Sequence, residues 1–230
     1  MIRRDYILKM IQEVGQVIAR IRSLRKDQRL SEAGECLDVE VQRLLALPVQ
    51  ALAVLSQTEL LALVIKSEST LPVREKALVL AALLKEAGDI SVEQNRDQEG
   101  RSYYLKGLHL LLDTLGQGEI LDFPEFVPQV EIFAAALRDG PIPLETNAGL
   151  MQHYERTGEF AKAEDALFSM LELEPENTAL MDFGISFYKR LLGQSDDNLT
   201  MGNLPRSEVE TTLEDLRGRK SNLPEETKRI

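Results

Sequence analysis

The chain has 230 residues, of which 43% are hydrophobic, 28% charged and 5% aromatic, enough apolar material for an ordinary buried core in one large or two small domains. A formal net charge of −11 repels nucleic-acid backbones and argues against general DNA or RNA binding. One cysteine cannot form an internal disulfide, so the fold does not depend on an oxidising compartment and a cytoplasmic location is expected.

The start MIRRDYILKMIQEVGQVIARI is basic, but Asp5, Lys9, Gln12 and Glu13 interrupt its apolar run, which is unlike a secretory signal. Ile7, Met10, Ile11, Val14, Val17, Ile18, Ile21 and Leu24 fall on one stripe of a helix predicted from about residue 3 to 26. Residues 1–29 carry eight basic and three acidic side chains, a local balance of +5, which leaves −16 for the remainder. Such asymmetry pairs the basic helix with an acidic surface, of its own chain or of a partner, or else marks a plainly solvated face. The same helical period runs through Cys36, Leu37, Val39, Val41, Leu44 and Leu45 until Pro48, and through Ala77, Leu80, Ala81, Leu83, Leu84 and Ala87 until a helix end expected at Gly88. Gly, Pro and Asn punctuation separates further helices near 49–66, 98–115, 124–138, 143–157, 160–173, 177–192 and 206–218. Residues 116–118, 139–141 and 195–202 read as turns or loops, and 221–230 as a frayed tail. No stretch approaches the roughly 18 consecutive apolar residues of a membrane span. The Leu/Ala-rich segments lack the β-branched alternation of strands, so the fold class is all-α.

The block NAGLMQHYERTGEFAKAEDALFSMLELEPEN, residues 147–177, carries the strongest signal. Its Leu150-Met151, Tyr154, Ala163, Leu167 and Pro175 meet the spacing of the tetratricopeptide repeat, which this block resembles. Gly158 stands where helix A ends, Ala163 lets helix B come close, and Pro175 stops helix B. Asn147 replaces the family's usual tryptophan, while Met151 and Met170 replace small residues. A first partial copy places Val17, Ile21, Leu24, Ala33 and Leu37 at the same spacing. A second matches Leu80-Ala81, Leu84 and Gly88, then Gly100, Tyr104 and Gly107, with seven additional residues between Gly88 and Gly100. The start RRDYILKMIQEVG also resembles an uncharacterised bacterial family of tetratricopeptide-like proteins.

The resemblance implies irregular helical hairpins stacked as a right-handed array over residues 1–193, clearest at 144–177. Residues 194–230 then form a loop, a short capping or appended helix and a tail. It also implies a non-enzymatic adaptor that binds a protein or peptide segment through helix A side chains facing away from helix B. Gln152, Glu155, Asp182, Ser186 and Lys189 fall at those positions. Glu155 and Asp182 disfavour a terminal carboxylate and suit a neutral or basic internal segment. Two alternatives stand beside the adaptor: a homodimer formed through the apolar face of the first helix, and a hydrolase assembled across helices.

No cofactor or metal is expected. The chain has no GxxxxGK[ST] loop and no HExxH pair. His109 and Asp113 share a helical face, but a metal needs three or four convergent ligands. Asp196-x-Asn198-x-Thr200 has Met201 and Ser207 where a calcium loop needs glycine and glutamate. Cys36 aligns with Ala166 as a small helix-packing residue.

Overall fold

The computed structural model describes residues 2–67, 71–116 and 124–223, with side chains from residue 9 onward. Among these residues there are twelve α-helices and no strand, and no helix is long and apolar enough to cross a membrane. The chain divides into two compact units, Met1–Ile142 and Pro143–Ile230.

The first unit holds α1 (Ile2–Lys26), α2 (Leu30–Leu45), α3 (Val49–Val54), α4 (Gln57–Lys66), α5 (Val73–Glu93), α6 (Asp97–Gly116) and α7 (Val130–Ala136). Every residue from Lys76 to Leu84 on α5 is buried. A helix covered all round belongs in the centre of a core, and α5 packs on α1, α2, α4 and α6. Met10, Val14, Ile18, Ile21 and Leu24 of α1 are buried, and α1 packs against α2 and α5, so its apolar stripe is covered by its own chain.

The α5/α6 hairpin is close because glycines line it. A Cβ on Gly88 would stand 2.3 Å from the Tyr104 ring, one on Gly100 2.9 Å from the Gly88 carbonyl, and one on Gly107 3.3 Å from the Ala81 carbonyl of α5 and 2.6 Å from Phe133 of α7. Gly88 therefore lies inside α5, where it admits Tyr104, and is not the helix end that the sequence suggests. The turn of this hairpin is Gln94 to Arg96, with Asn95 at φ +59, so the long turn expected between Gly88 and Gly100 is mostly helix.

Three other expectations are corrected. The helix near 49–66 is two, because Leu55 is extended and Ser56 opens α4 with a capping box: its hydroxyl accepts from Glu59 N, and the Glu59 carboxylate accepts from Ser56 N. The helix near 124–138 is only Val130–Ala136, since Pro124 and Pro128 each lack an N–H and the chain between them forms a turn. Within the expected loop 195–202, Asp196–Met201 is helical, begun by the Ser195 hydroxyl accepting from Asn198 N. Of the turn expected at 116–118, Gly116 ends α6 and 117–118 lie outside the described residues; of the tail expected at 221–230, Ser221 ends α12 and 224–230 lie outside them.

The second unit holds α8 (Leu144–Thr157), α9 (Phe160–Leu173), α10 (Thr178–Leu191), α11 (Asp196–Met201) and α12 (Arg206–Ser221). The α8/α9 hairpin turns at Gly158, whose φ of +79 is open to glycine, and Ala163 and Leu167 are buried beneath it. α10 packs on both α9 and α12. At that junction a Cβ on Gly184 would lie 3.0 Å from Leu167 and 3.2 Å from Leu216. Val209, Leu213 and Leu216 are buried, so α12 is a core element of this unit. The packing boundary falls after Ile142.

Candidate functional site

The five residues named from the repeat spacing all lie in the second unit. Gln152 is exposed on α8, and Ser186 and Lys189 are exposed on α10. Glu155 is half-buried and accepts two hydrogen bonds from Arg190 of α10, at 2.6 and 2.7 Å. This bidentate pair raises the proton affinity of the guanidinium and ties α8 to α10. Asp182 is paired with Lys220 Nζ of α12 at 2.5 Å. The set thus separates into two carboxylates that already hold cations and three side chains open to solvent. Asp182, Ser186, Lys189 and Arg190 share one side of α10, because intervals of three and four return to the same face. Arg190 is legible as the position one turn beyond Ser186 in the same exposed stripe, whereas its pairing with Glu155 joins two helices and does not follow from spacing within one.

A second site lies wholly in the first unit and was not anticipated from the sequence. It is a cavity of about 290 Å³ formed by α2, the start of α3, the end of α5 and the start of α6. Leu37, Val49, Ala87, Ile90 and Tyr103 supply buried apolar wall. Tyr103 OH lies 3.2 Å from Glu99 Oε1 and 3.3 Å from the Val49 carbonyl, and burial, reinforced by Glu99, raises its proton affinity. Arg96 pairs with Glu99 at 2.6 Å, and Ser91 Oγ donates to the same carboxylate at 3.3 Å. Asp38 accepts from Val49 N at 2.7 Å and from Gln42 Nε2 at 2.9 Å, which caps α3. Glu35 is exposed at the rim and has no ion-pair partner among the described residues.

Elsewhere, buried charge is structural. Arg22 and Arg25 of α1 meet the fully buried Glu86 carboxylate at 2.7 and 2.5 Å, and Arg25 also reaches Asp89 and Glu93 of α5. Tyr104 OH donates to Asp89 at 2.8 Å. The basic first helix therefore meets an acidic face of its own chain. Lys76 is 2% exposed, and its ammonium donates to the Val64 and Ser67 carbonyls and to Ser67 Oγ, each at 2.9 Å. Burial lowers its proton affinity. Lys106 and Ser102 both donate to the Ala53 carbonyl, which satisfies the end of α3. His109 Nε2 stands 3.3 Å from Asp113 as a single pair, and no group of three metal-ligating side chains occurs among the described residues.

No curated protein and no solved structure matches the chain. A family of unknown function, DUF6483, matches residues 1–221. That span takes in all twelve described helices, and the chain belongs to the DUF6483 family.

Proposed function

We propose that this protein is a non-enzymatic, cytoplasmic adaptor whose second unit is a tetratricopeptide-like pair of hairpins, α8/α9 and α10/α12. Its ligand is an extended protein or peptide segment lying along α8 and α10. The observation that carries this reading is the Glu155–Arg190 ion pair, which links two successive A-type helices while Gln152, Ser186 and Lys189 stay exposed along them. A rigid polar face of this kind recognises a segment by hydrogen bonds at low reorganisation cost. Because Glu155 and Asp182 hold their own cations, their charge does not select a basic segment. Gln152 and Ser186 donate and accept, and Lys189 donates, which suits a ligand rich in backbone and side-chain acceptors. The homodimer alternative loses support, because the α1 stripe on which it relied is buried against α2 and α5.

The test is a quantitative pull-down from native lysate with the full chain and with Gln152→Ala/Ser186→Ala/Lys189→Ala. All three side chains are exposed, so an unchanged helical spectrum is expected of the variant. The adaptor reading expects a protein retained by the wild type to be depleted about tenfold, the loss of one or two net hydrogen bonds. Equal retention by the variant contradicts the assignment of this face.

A further inference from the structure

A helix that is apolar all round belongs inside a core, which is where α5 lies. α4 has a similar composition and a different place. Leu60, Leu61, Ala62, Leu63, Val64 and Ile65 are six consecutive apolar residues, yet only Leu60 and Val64 are buried. Ile65 is 56% exposed and Leu61, Ala62 and Leu63 are half-buried, so the helix turns a largely apolar side to water. It is also firmly held. The Ser56–Glu59 capping box fixes its first turn, and the buried Lys76 ammonium donates to the Val64 and Ser67 carbonyls at its C-terminal end. A surface helix pinned at both ends presents its outer side with little further ordering cost on association.

Charge selects what covers that side. Thr58, Ala62 and Ile65 follow one another at intervals of four and three on the side away from Leu60 and Val64. Glu59 and Lys66, the two charged residues of α4, are seven apart, which places them within about 20° of one another around the axis. They flank Ala62 at opposite ends of the helix, on the edge away from Ile65. Lys66 is exposed and has no ion-pair partner among the described residues. Both bonds from Ser56 go to Glu59 Oε2, which leaves Oε1 to accept. A second α4, turned antiparallel about a two-fold axis beside Ala62 and Leu63, brings Glu59 of each copy level with Lys66 of the other, because 59 and 66 are equidistant from that point. The same rotation sets Ile65 against Thr58 and Leu61 of the second copy. Ala62 is small enough for the axes to approach to about 8–10 Å. An isologous contact needs a patch that complements itself under rotation, whereas a uniformly acidic or basic partner would meet its like charge at one end of this helix.

We infer that α4 is the contact through which two copies of this chain form a two-fold, antiparallel dimer, with Ala62 and Ile65 at its centre and a Glu59–Lys66 ion pair at each end. A contact between single helix faces is small beside the roughly 1,200–2,000 Å² of a standard interface, so dimer and monomer exchange and their balance follows protein concentration. The contact lies in the first unit. It is independent of the α8/α10 face and does not use the α1 stripe, so either assignment can fail without the other.

Sedimentation velocity of the full chain from micromolar to submillimolar concentration tests the assignment. The weight-average mass should rise from the monomer value of 25.9 kDa towards twice that value. Ile65→Glu, at an exposed position, should keep the protein monomeric throughout, with an unchanged helical spectrum and an unchanged melting temperature at low concentration. Lys66→Glu and Glu59→Lys each place like charges at both ends of the contact and should associate at least about tenfold more weakly than wild type. An equimolar mixture of these two variants, both with the wild-type helical spectrum, regains both ion pairs and should dimerise where neither does alone. A helix merely damaged by substitution is not rescued in this way. A monomer at every concentration, which would leave the face to another protein or to water, overturns the inference. So does a dimer unaffected by Ile65→Glu, or a mixture no more associated than its components.

Discussion

Glu164 sits on α9 with 8% of its surface exposed and accepts a hydrogen bond from Tyr188 OH at 2.6 Å. Burial raises its proton affinity above the ordinary carboxylate value of 4.5. The Tyr188 hydrogen bond opposes that shift, while Glu208 and Asp165 add to it. A carboxyl that binds its proton more tightly when folded contributes stability below its unfolded pKa, and that contribution is lost as pH rises through the folded pKa. Glu164→Gln keeps an acceptor for Tyr188 and removes the buried charge. The variant is expected to melt at or above the wild-type temperature at pH 7, with a flatter pH dependence above 4.5. A clearly lower melting temperature at neutral pH would mean that the ionised form is the stabilising one. Gly88 makes the converse point. A glycine in a helical pattern signals either an end or a close approach, and only Tyr104, in the next helix, decides between them. Gly88→Ala should cost about 1–3 kcal/mol by overpacking the hairpin, read by urea denaturation. No loss would show that the Tyr104 ring yields freely.

Helices as elements were legible wherever an apolar stripe met a clear stop. Leu144–Thr157 and Phe160–Leu173 follow from the pattern because Gly158 takes the left-handed conformation that only glycine adopts cheaply. The break between α3 and α4 was written in the Ser56-x-x-Glu59 signature but hidden by the continuous apolar run on both sides. For α11, capping by Ser195 and burial of Leu199 outweigh local loop chemistry, which is a tertiary effect. The first helix gives an element-scale prediction. Met10, Val14, Ile18, Ile21 and Leu24 are all buried, and one such side chain is worth roughly 1.5–3 kcal/mol. Together they rival the whole stability of a domain, about 5–15 kcal/mol. Deleting residues 1–26 should therefore expose α2 and α5 and produce aggregation by light scattering. An unchanged melting temperature in a monodisperse truncated protein would contradict the packing of α1.

Across the whole molecule, the two units have separate cores, each with its own hairpins and buried glycine junctions. A fragment of residues 143–230 is expected to give a helical far-UV spectrum and a cooperative melt, whereas an unfolded fragment would show that the second core needs the first. The cavity illustrates what sequence alone withholds. Glu35, Ala87 and Tyr103 come from three helices far apart along the chain, and periodicity within a helix says nothing of how such faces meet. The destination of the basic charge on α1 was legible only as a choice between an internal and an external acidic surface. Glu86, buried between two arginines, fixes the internal one for Arg22 and Arg25.

The central functional claim, that a partner lies along α8 and α10, is tested most directly by site-specific photo-crosslinking. A photoreactive amino acid is placed in the full chain at Ser186, on the exposed side of α10, and in a control at Ser169, exposed on α9. Irradiation in native lysate should give a discrete protein adduct from Ser186 and none from Ser169. No adduct from Ser186, or the same adduct in equal yield from both positions, would contradict it.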